Sequence, residues 1–561
     1  MEHQRGSTIP ESLNTHGYIN INDVFDRVCD KYADAPAFTS FGRTLSYREL
    51  HQLSDAFAVY IQKETDLKPG DKIAIQLPNL IQYPVVLFGA LKAGLIIVNT
   101  NPLYTPREME HQFNDSGAKA LIIYKSMADK AEQVISKTGI KYLFLTQIGD
   151  LHPFVKRHLL NAVVKYVKKL EPEFNLPSAI PLRNALIPFV GQKPIPVAVQ
   201  TADIAVLQYT GGTTGVSKGA VLSHGNLVSN MLQGHKLINQ ATAGWSETAI
   251  APLPLYHIYA FTISLVIMDC GGHSVLIPNP RDIPGFAKEL GKWRMSAFLG
   301  LNTLFVALCN NEEFRKLDFS NMKITISGGC ALTHAAADEW IRVTGCEIME
   351  GYGLTETSPA ISINSPHGIR LGTIGQPLDC TDVQIMDIEG NPVADGQPGE
   401  LCVKGPQVMV GYWQREAETE ECFTADGYFR TGDIAIREAD GYLRIVDRAK
   451  DMILVSGFNV YPNEVEDVVT THPEILECAA IGLPDEHSGE LVKLVAVAKN
   501  PEQPPSPDEI KAWCRERLTA YKVPKVIEFV SELPKTNVGK VLRRKLKETQ
   551  NQDQDSPSKV A

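Results

Sequence analysis

YTGGTTGVSKG, residues Tyr209–Gly219, is the stretch from which the fold class follows most directly. It comes after the predicted strand Ile204–Gln208 and is rich in glycine and threonine. Glycine lets backbone N–H groups approach an anion closely, while threonine hydroxyls and Lys218 add donors and charge. The composition of this stretch alone predicts a phosphate-binding loop. The alternative is a flexible turn.

The loop is not a Walker A sequence. Lys218 stands between Ser217 and Gly219 and not in the order Gly-Lys-Ser/Thr. This spacing disfavours P-loop kinases and ATPases.

Apolar, β-rich runs alternate with helical patterns along most of the chain, which predicts α/β architecture. With 561 residues, the chain exceeds the roughly 250–300 residues that one core supports, so we expect at least two domains. The predicted strands are Asp71–Gln76, Ala120–Tyr124, Tyr142–Thr146, Lys323–Ser327, Glu477–Ile481 and Leu491–Ala498, and predicted helices include Pro78–Ala93 and Ile510–Leu518.

Composition excludes several classes of protein. Apolar residues are 44%, charged residues are 21% and the net charge is -11, which disfavours disorder and a dedicated nucleic-acid binder. Ten cysteines without a CxxC pair predict buried reduced thiols and no zinc site. The N-terminal residues show no secretory signal, and the longest apolar stretches fall short of the ~20 residues that span a bilayer. We therefore expect a cytoplasmic protein.

The segment Phe154–Leu170 (FVKRHLLNAVVKYVKKL) has apolar residues at helical spacing together with five cations. The pattern is typical of a basic amphipathic helix that lies on an anionic membrane surface. The alternative is an ordinary surface helix whose apolar face packs on the core. The sequence leaves both open, so peripheral attachment to the inner face of the cell membrane is a hypothesis.

Further motifs follow the glycine-rich loop in a fixed order. They are GYGLTE (Gly351–Glu356), YFRTGD (Tyr428–Asp433), RIVDRAKDMILVSGFNVYPNE (Arg444–Glu464) and PKTNVGKVLR (Pro534–Arg543). Together with YTGGTTGVSKG, this set resembles the adenylate-forming superfamily of acyl-CoA synthetases, luciferases and peptide-synthetase adenylation domains. The resemblance covers roughly residues 20–547. Within the superfamily the chain is most similar to bacterial long-chain fatty-acid–CoA ligases, through NPLYTPR (Asn101–Arg107), PLYH (Pro254–His257) and GPQVMVGYWQ (Gly405–Gln414).

The resemblance implies a large α/β N-terminal domain and a small, mobile α+β C-terminal domain. The expected divisions are residues 1–446, a hinge at 447–450 that includes Lys450, the C-terminal domain at 451–547 and a disordered tail at 548–561. The implied reaction joins a fatty acid to ATP as acyl-AMP, releasing pyrophosphate, and then transfers the acyl group to CoA. Mg²⁺ is the implied cofactor. Nucleic acid is not an expected partner, and a homodimer is left open.

Site residues carry over motif by motif. The implied ATP-binding residues are Thr210, Gly211, Gly212, Thr213, Thr214, Gly215, Lys218, Gly329, Gly351, Tyr352, Gly353, Thr355, Asp433, Arg448 and Lys540. Of these, Lys540 and Thr214 are also implied to be catalytic, together with Glu356. The implied roles of the others are Mg²⁺ binding for Thr210 and Glu356, fatty-acid contact for His257 and Phe261, and CoA contact for Gly457 and Phe458.

Chemistry supports several of these roles. Attack of a carboxylate on the α-phosphate concentrates negative charge in the transition state, which calls for a cation such as Lys540. Mg²⁺ prefers oxygen ligands such as those of Glu356 and Thr210. Asp433 is expected to accept hydrogen bonds from ribose hydroxyls, and Tyr352 to stack on adenine. Each residue also has a structural alternative, for example a surface lysine for Lys540 and an acid at a helix start for Glu356.

The acyl-binding segment is less specific. His257 is interpreted as a residue beside the acyl carboxylate or as a satisfied core histidine. Phe261 stands where some relatives carry a gating tryptophan, so a gate is not predicted. Leu255–Phe261 contains no aspartate to pair with a substrate amine, which favours a plain carboxylate.

Two other functions remain open. An acyl-AMP ligase that loads a carrier protein would release AMP without CoA. A membrane-surface lipid-binding protein would bind fatty acid without ATP and release no pyrophosphate.

Overall fold

The computed structural model describes residues 8–210, 217–241, 247–448, 450–456, 458–485, 488–536 and 541–547. The predicted site residues 211–215, Gly457 and Lys540 lie outside these ranges, as does the predicted tail 548–561.

Strands and helices alternate through much of the chain, as expected for an α/β protein. The strands are β1 Pro36–Ser40, β2 Arg43–Ser46, β3 Lys72–Gln76, β4 Ile96–Asn99, β5 Ala118–Tyr124, β6 Tyr142–Thr146, β7 Ile180–Pro181, β8 Ile204–Thr210, β9 Lys218–Ser223, β10 Thr248–Ala251, β11 His273–Leu276, β12 Ala297–Gly300, β13 Ile324–Ser327, β14 Ile348–Gly353, β15 Ala360–Ile363, β16 Gln376–Pro377, β17 Asp382–Met386, β18 Gly399–Lys404, β19 Gly411–Tyr412, β20 Phe429–Arg437, β21 Leu443–Arg448, β22 Ile453–Val455, β23 Phe458–Val460, β24 Ile475–Asp485, β25 Gly489–Ala498 and β26 Val526–Phe529.

The α-helices are α1 Ile21–Lys31, α2 Tyr47–Glu64, α3 Gln82–Lys92, α4 Pro106–Ser116, α5 Ala128–Ile135, α6 Phe154–Ala162, α7 Leu182–Leu186, α8 His224–Ala241, α9 Ile258–Asp269, α10 Ile283–Leu290, α11 Asn302–Cys309, α12 Glu312–Arg315, α13 His334–Thr344, α14 Glu416–Glu421, α15 Pro462–Thr470 and α16 Pro507–Arg515. Short 3-10 helices cover Lys125–Met127, Ile187–Phe189, Thr355–Thr357 and Ala520–Lys522.

Two large, mostly parallel sheets organise the first part of the chain. One has the order β16-β15-β14-β13-β12-β10-β11-β1-β2 and the other β19-β9-β8-β4-β3-β5-β6-β7. Strands such as β4, β12 and β13 are buried at every position, because helices cover both faces of a parallel sheet. Ligands of such sheets bind beyond the carboxyl ends of the strands, where Thr210 and Gly328-Gly329 lie. The α/β fold class is confirmed.

Two smaller sheets complete the molecule. The four-stranded sheet β17-β18-β20-β21 is antiparallel and packs into the same hydrophobic core as the large sheets. Leu443 and Ile445 are the last residues along the chain that contribute to this core. The sheet β23-β22-β25-β24, with β26 on β25, encloses a separate core that begins at Ile453. The change of core between Ile445 and Ile453 is where the sequence predicts the hinge.

Two predicted helices begin at other residues than expected. The pattern from Pro78 becomes helical only at Gln82, because Pro84 has no N–H and is tolerated only within the first turn. The helix predicted at Ile510–Leu518 spans Pro507–Arg515, because Ser506 and Glu509 form a capping box that sets its start.

Seven of the ten cysteines are buried, as predicted, but Cys330 and Cys422 are partly exposed and Cys380 is exposed. Cys380 lies in the tight turn from Leu378 to Thr381 with a φ of 59°, at the surface, where its thiol contacts the hydroxyl of Ser12 at 3.2 Å.

Candidate active site

The two ends of the glycine-rich loop lie side by side on an antiparallel pair of strands. Thr210 at the end of β8 pairs with Lys218 at the start of β9. The hydroxyl of Ser217 donates to the carbonyl oxygen of Thr210 at 2.6 Å, and the hydroxyl of Tyr209 donates to Asp115 at 2.6 Å. These contacts hold the base of the loop, whose central residues 211–216 lie outside the described ranges.

Lys218 contacts two groups that the sequence did not single out. Its ammonium forms an ion pair with the carboxylate of Glu418 on α14. It also lies 5.3 Å from the ring centroid of Tyr412 on β19, within reach of a cation–π contact. Because β19 pairs with β9 at Tyr412 and Ala220, the fold brings Tyr412 next to the loop from about two hundred residues away in sequence.

Glu356 lies in the 3-10 helix Thr355–Thr357, which packs against β9. The hydroxyl of Tyr412 donates to its Oε1 at 2.7 Å, and the Met409 N–H donates to its backbone oxygen at 2.7 Å. Burial raises the pKa of the Glu356 carboxyl, and the hydrogen bond from Tyr412 opposes that rise. Tyr412 therefore connects the two predicted phosphate-side groups, Lys218 and Glu356.

Tyr352, Asp433 and Arg448 form a second cluster. Asp433 on β20 lies directly opposite Arg448 on β21, and the guanidinium Nε is 3.4 Å from Asp433 Oδ1. The hydroxyl of Tyr352, on β14, donates to Asp433 Oδ2 at 2.5 Å. Burial, together with the Asp433 carboxylate, raises the pKa of Tyr352 and keeps its phenol protonated. Three residues from three separate motifs thus meet, and their role in ATP binding stays a prediction.

Two of the predicted ATP-binding glycines differ in the space around them. Gly329 follows β13 with a φ of +84°, and a Cβ placed there would meet no atom within 4 Å. A Cβ at Gly353 would lie 1.9 Å from the backbone oxygen of Pro359, so no side chain fits. A side chain therefore has space at Gly329, although the positive φ there disfavours one, and has no space at Gly353, next to Tyr352.

Glu350 is a buried carboxyl group that sequence reasoning missed. It lies in β14 one residue before Gly351, and one carboxyl oxygen accepts the Leu332 N–H at 3.1 Å. Burial raises its pKa to about 8, so the group is largely protonated at neutral pH. An acid inside an otherwise apolar strand was the signal that could have identified it.

His257 and Phe261 lie at the start of α9. His257 caps the helix, because its Nδ1 accepts the Tyr259 N–H at 3.3 Å. Phe261 is buried and lines an apolar pocket with Leu255, Leu265 and Phe88. The hydroxyl of Ser264 is also buried at this pocket.

Lys450 and Phe458 belong to the later part of the chain. Lys450 is exposed immediately after β21. The Phe458 ring, 57% exposed, stacks on Tyr521 with centroids 4.9 Å apart.

Comparison with known proteins gives consistent matches. The model of the AMP-binding enzyme family matches residues 25–413, and that of the AMP-binding enzyme C-terminal domain matches residues 464–540. Over 543 residues the chain is 48% identical to the long-chain-fatty-acid–CoA ligase of Escherichia coli O157:H7, covering 96% of each chain. It is 34% identical over 533 residues to the ligase of that name from Bacillus subtilis (strain 168), covering 93% of each.

Solved structures share the fold over almost the whole chain. ATP-bound MatB from Rhodopseudomonas palustris is 28% identical with a TM-score of 0.79, covering 94% of this chain and 99% of that one. The anthranilate CoA ligase AuaEII in complex with anthranoyl-AMP is 24% identical with a TM-score of 0.86, covering 96% and 98%.

Proposed function

The chain belongs to the AMP-binding enzyme family, and from this premise we propose that it is a long-chain-fatty-acid–CoA ligase. The observation that carries the proposal is 48% identity, over 543 residues, to a curated ligase of that name. The Tyr352–Asp433–Arg448 cluster beside Glu356 supports a nucleotide site. The reaction forms acyl-AMP and pyrophosphate from fatty acid and ATP, and then acyl-CoA and AMP from acyl-AMP and CoA.

The nucleotide is held between the two clusters. The ribose hydroxyls are assigned to the Asp433 carboxylate, which is held in place beside β14 by the hydrogen bond from the Tyr352 hydroxyl. Arg448 fixes the Asp433 carboxylate and contributes positive charge near the phosphates. The ring of Tyr352 and the open backbone at Gly329 border the adenine, and the strand ends Thr210 and Lys218 direct the loop toward the phosphates.

The side chains present fit a magnesium ion. Glu356 offers a carboxylate and Thr210 a hydroxyl, and Mg²⁺ typically takes one or two protein oxygens together with phosphates and water. Among the described residues there is no cluster of three or more metal-ligating side chains, so the nucleotide phosphates must supply most ligands. When bound, Mg²⁺ neutralises phosphate charge and orients the triphosphate.

Adenylation requires the fatty-acid carboxylate to reach the α-phosphate. The acyl chain is assigned to the neighbourhood of Phe261, where the apolar gap must widen to admit it, and the carboxylate to His257 at the N-terminus of α9. Lys540 supplies a cation to the charge that develops between carboxylate and phosphate. Thr214 donates a hydroxyl to the phosphates from the glycine-rich loop.

Thioester formation needs a different arrangement of the C-terminal domain. That domain, residues 451–547, rotates about Lys450 between the two half-reactions. Rotation withdraws Lys540 and brings Gly457 and Phe458 toward the CoA thiol. The exposed stack of Phe458 on Tyr521 provides an apolar surface for the pantetheine arm.

The enzyme collects its substrate at a membrane surface through residues 154–170, here called the 154–170 surface. None of the residues in α6 and the helical turn Val163–Val167 is fully buried, although Leu160, Val163 and Val164 are half-buried. This exposure favours the membrane interpretation over a helix packed on the core. Phe154, Val155, Leu159, Tyr166, Val167 and Leu170 are each between 57% and 77% exposed. They stand among five cations, a combination suited to an anionic bilayer.

The proposed location is therefore the cytoplasmic face of a membrane, as a peripheral protein. No helix among the described residues is long and apolar enough to cross a bilayer. The homodimer that the sequence leaves open stays a prediction.

The test is pyrophosphate and AMP release with fatty acids of increasing chain length, with and without CoA. We expect pyrophosphate release with long chains and AMP release only when CoA is present. AMP release that needs a carrier protein and not CoA would favour the acyl-AMP ligase. Fatty-acid binding without ATP and without pyrophosphate release would favour the lipid-binding protein.

A further inference from the structure

Arg543 is the centre of an ion-pair cluster at the boundary between the two cores. Its guanidinium contacts both oxygens of Glu466 at 2.8 Å and the side-chain oxygen of Asn463 at 2.8 Å. It also lies 3.7 Å from Asp447 and 3.5 Å from Asp451. The Arg543 side chain is only 16% exposed, so water screens these charges weakly.

The contacts fall on both sides of the proposed hinge. Glu466, Asn463 and Asp451 follow Lys450 and belong to the C-terminal part, as does Arg543. Asp447 precedes Lys450 and lies in β21, opposite Ile434 in the four-stranded sheet. Asp447 also accepts the backbone N–H of Asn463, next to the start of α15, at 2.8 Å. One buried carboxylate thus holds the C-terminal domain by a charge and by a hydrogen bond.

The other face of β21 carries a residue of the Tyr352–Asp433–Arg448 cluster. Successive residues of a strand point to opposite faces, so Arg448 faces Asp433 while Asp447 faces Arg543. The end of β21 therefore connects the ribose-binding aspartate to the C-terminal domain.

Arg543 is also close in sequence to the proposed catalytic lysine. It follows Lys540 by three residues, which span at most about 11 Å. The residues that flank Lys540 are paired through their backbones. Lys535 and Val541 form an isolated antiparallel β-bridge, and the Leu542 N–H donates to the Pro534 oxygen at 2.7 Å. Anchoring Arg543 consequently restricts where Lys540 can lie.

We propose that the orientation seen here, in which Arg543, three residues after Lys540, lies beside the end of β21 that carries Arg448, is the one used for adenylation. The Asp447–Arg543 pair is then a positioning contact that holds the C-terminal domain in that orientation and must break before thioester formation. This inference rests on the proposed function and its domain rotation. Rotation about Lys450 separates Asp447 from Arg543, while Glu466, Asn463 and Asp451 move together with the guanidinium. The pair therefore favours the first half-reaction and not the second.

The test compares two variants, each of which neutralises one carboxylate that contacts the Arg543 guanidinium. Asp447→Asn removes the partner across the hinge, and its amide oxygen can keep only one of the two N–H bonds that the carboxylate accepts. Glu466→Gln is the matched control, because Glu466 lies on the same side of the hinge as Arg543. The rates of acyl-AMP formation and of acyl-AMP plus CoA conversion are measured separately in single turnovers, together with thermal unfolding.

For Asp447→Asn we expect about tenfold slower adenylation, equivalent to about 1.4 kcal/mol, with the thioester step unchanged within twofold. The KM for ATP should also stay within twofold, because Asp433 and Arg448 remain. Glu466→Gln should leave the ratio of the two rates unchanged. Equal slowing of both steps in Asp447→Asn, or the same ratio in both variants, would overturn the proposal.

A second variant keeps the test decisive if Asp447→Asn fails to fold. Arg543→Lys retains the charge but not the planar fork that spans several acceptors. It should slow adenylation selectively, and equal slowing of both steps would again overturn the positioning role. A wild-type enzyme that forms no acyl-AMP would instead contradict the proposed function and leave a different reaction to be sought.

Discussion

Replacing Tyr412 by phenylalanine tests the arrangement around Glu356. The change removes one hydroxyl, whose hydrogen bond to Glu356 Oε1 is 2.7 Å long, and keeps the ring that contacts Lys218. A hydrogen bond to a charged group contributes about 1.5–3 kcal/mol. Because Glu356 is only partly buried, we expect the lower end, which corresponds to about a tenfold loss of adenylation rate at neutral pH.

The loss should depend on pH in a defined direction. Burial already raises the pKa of Glu356, and the Tyr412 hydroxyl counteracts this by stabilising the carboxylate. Without the hydroxyl the pKa rises further, so the carboxylate is lost at a higher pH as the solution is acidified. The acid limb of the rate profile should therefore move to higher pH, and the deficit should shrink in alkaline solution.

The assay is pyrophosphate exchange from acidic to alkaline pH at several magnesium concentrations. Tyr142→Phe is the matched control, because it removes a tyrosine hydroxyl that donates to the exposed Asp66 at 3.1 Å, away from the site. The concentration of Mg²⁺ needed for half the maximal rate should rise in Tyr412→Phe only. A deficit that is the same at every pH, or no deficit, would refute the role assigned to the Tyr412–Glu356 contact.

Three further predictions concern the moving and membrane-facing parts. Lys540→Ala should slow adenylation by roughly 10²–10³, because one preorganised electrostatic contact is lost, while supplied acyl-AMP reacts with CoA almost normally; equal slowing of both steps, seen in single turnovers, would contradict this role. Lys450→Pro fixes φ and should leave pyrophosphate exchange intact while CoA-dependent turnover collapses; loss of both half-reactions together would argue against a hinge at this residue. Changing Lys165, Lys168 and Lys169 to Glu should weaken binding to anionic vesicles by at least 10²-fold, because each cation removed contributes about 1 kcal/mol. Activity on soluble short-chain acids should be retained. Unchanged sedimentation with the vesicles would show that the 154–170 surface does not bind the membrane.

Local patterns in the sequence were sufficient to predict many of the helices and strands. β6 has the bounds predicted for Tyr142–Thr146, and the helix predicted from Phe154 begins there. These elements depend on side-chain periodicity and on neighbours a few residues away, which a sequence displays directly. Helix starts were less predictable where a proline or a capping box decides the first turn, as at Gln82 and Pro507.

The family and the overall reaction also followed from the sequence, because the order of five motifs is itself a sequence property. The comparisons confirm this interpretation. The motifs indicated Asp433, Arg448 and Tyr352 as nucleotide-binding residues before their side chains were seen to meet. They gave no reason to select Tyr412 or Glu350.

Only the tertiary structure decided which side chains contact one another. The hydrogen bond from Tyr412 to Glu356 joins residues 56 positions apart, and the Asp447–Arg543 pair joins strand β21 to a residue beyond β26. The exposure of the apolar residues in the 154–170 surface likewise depended on which parts of the chain pack nearby. Periodicity describes a residue's own element, whereas burial and charge pairing depend on the elements that folding brings against it, and those are distant in sequence.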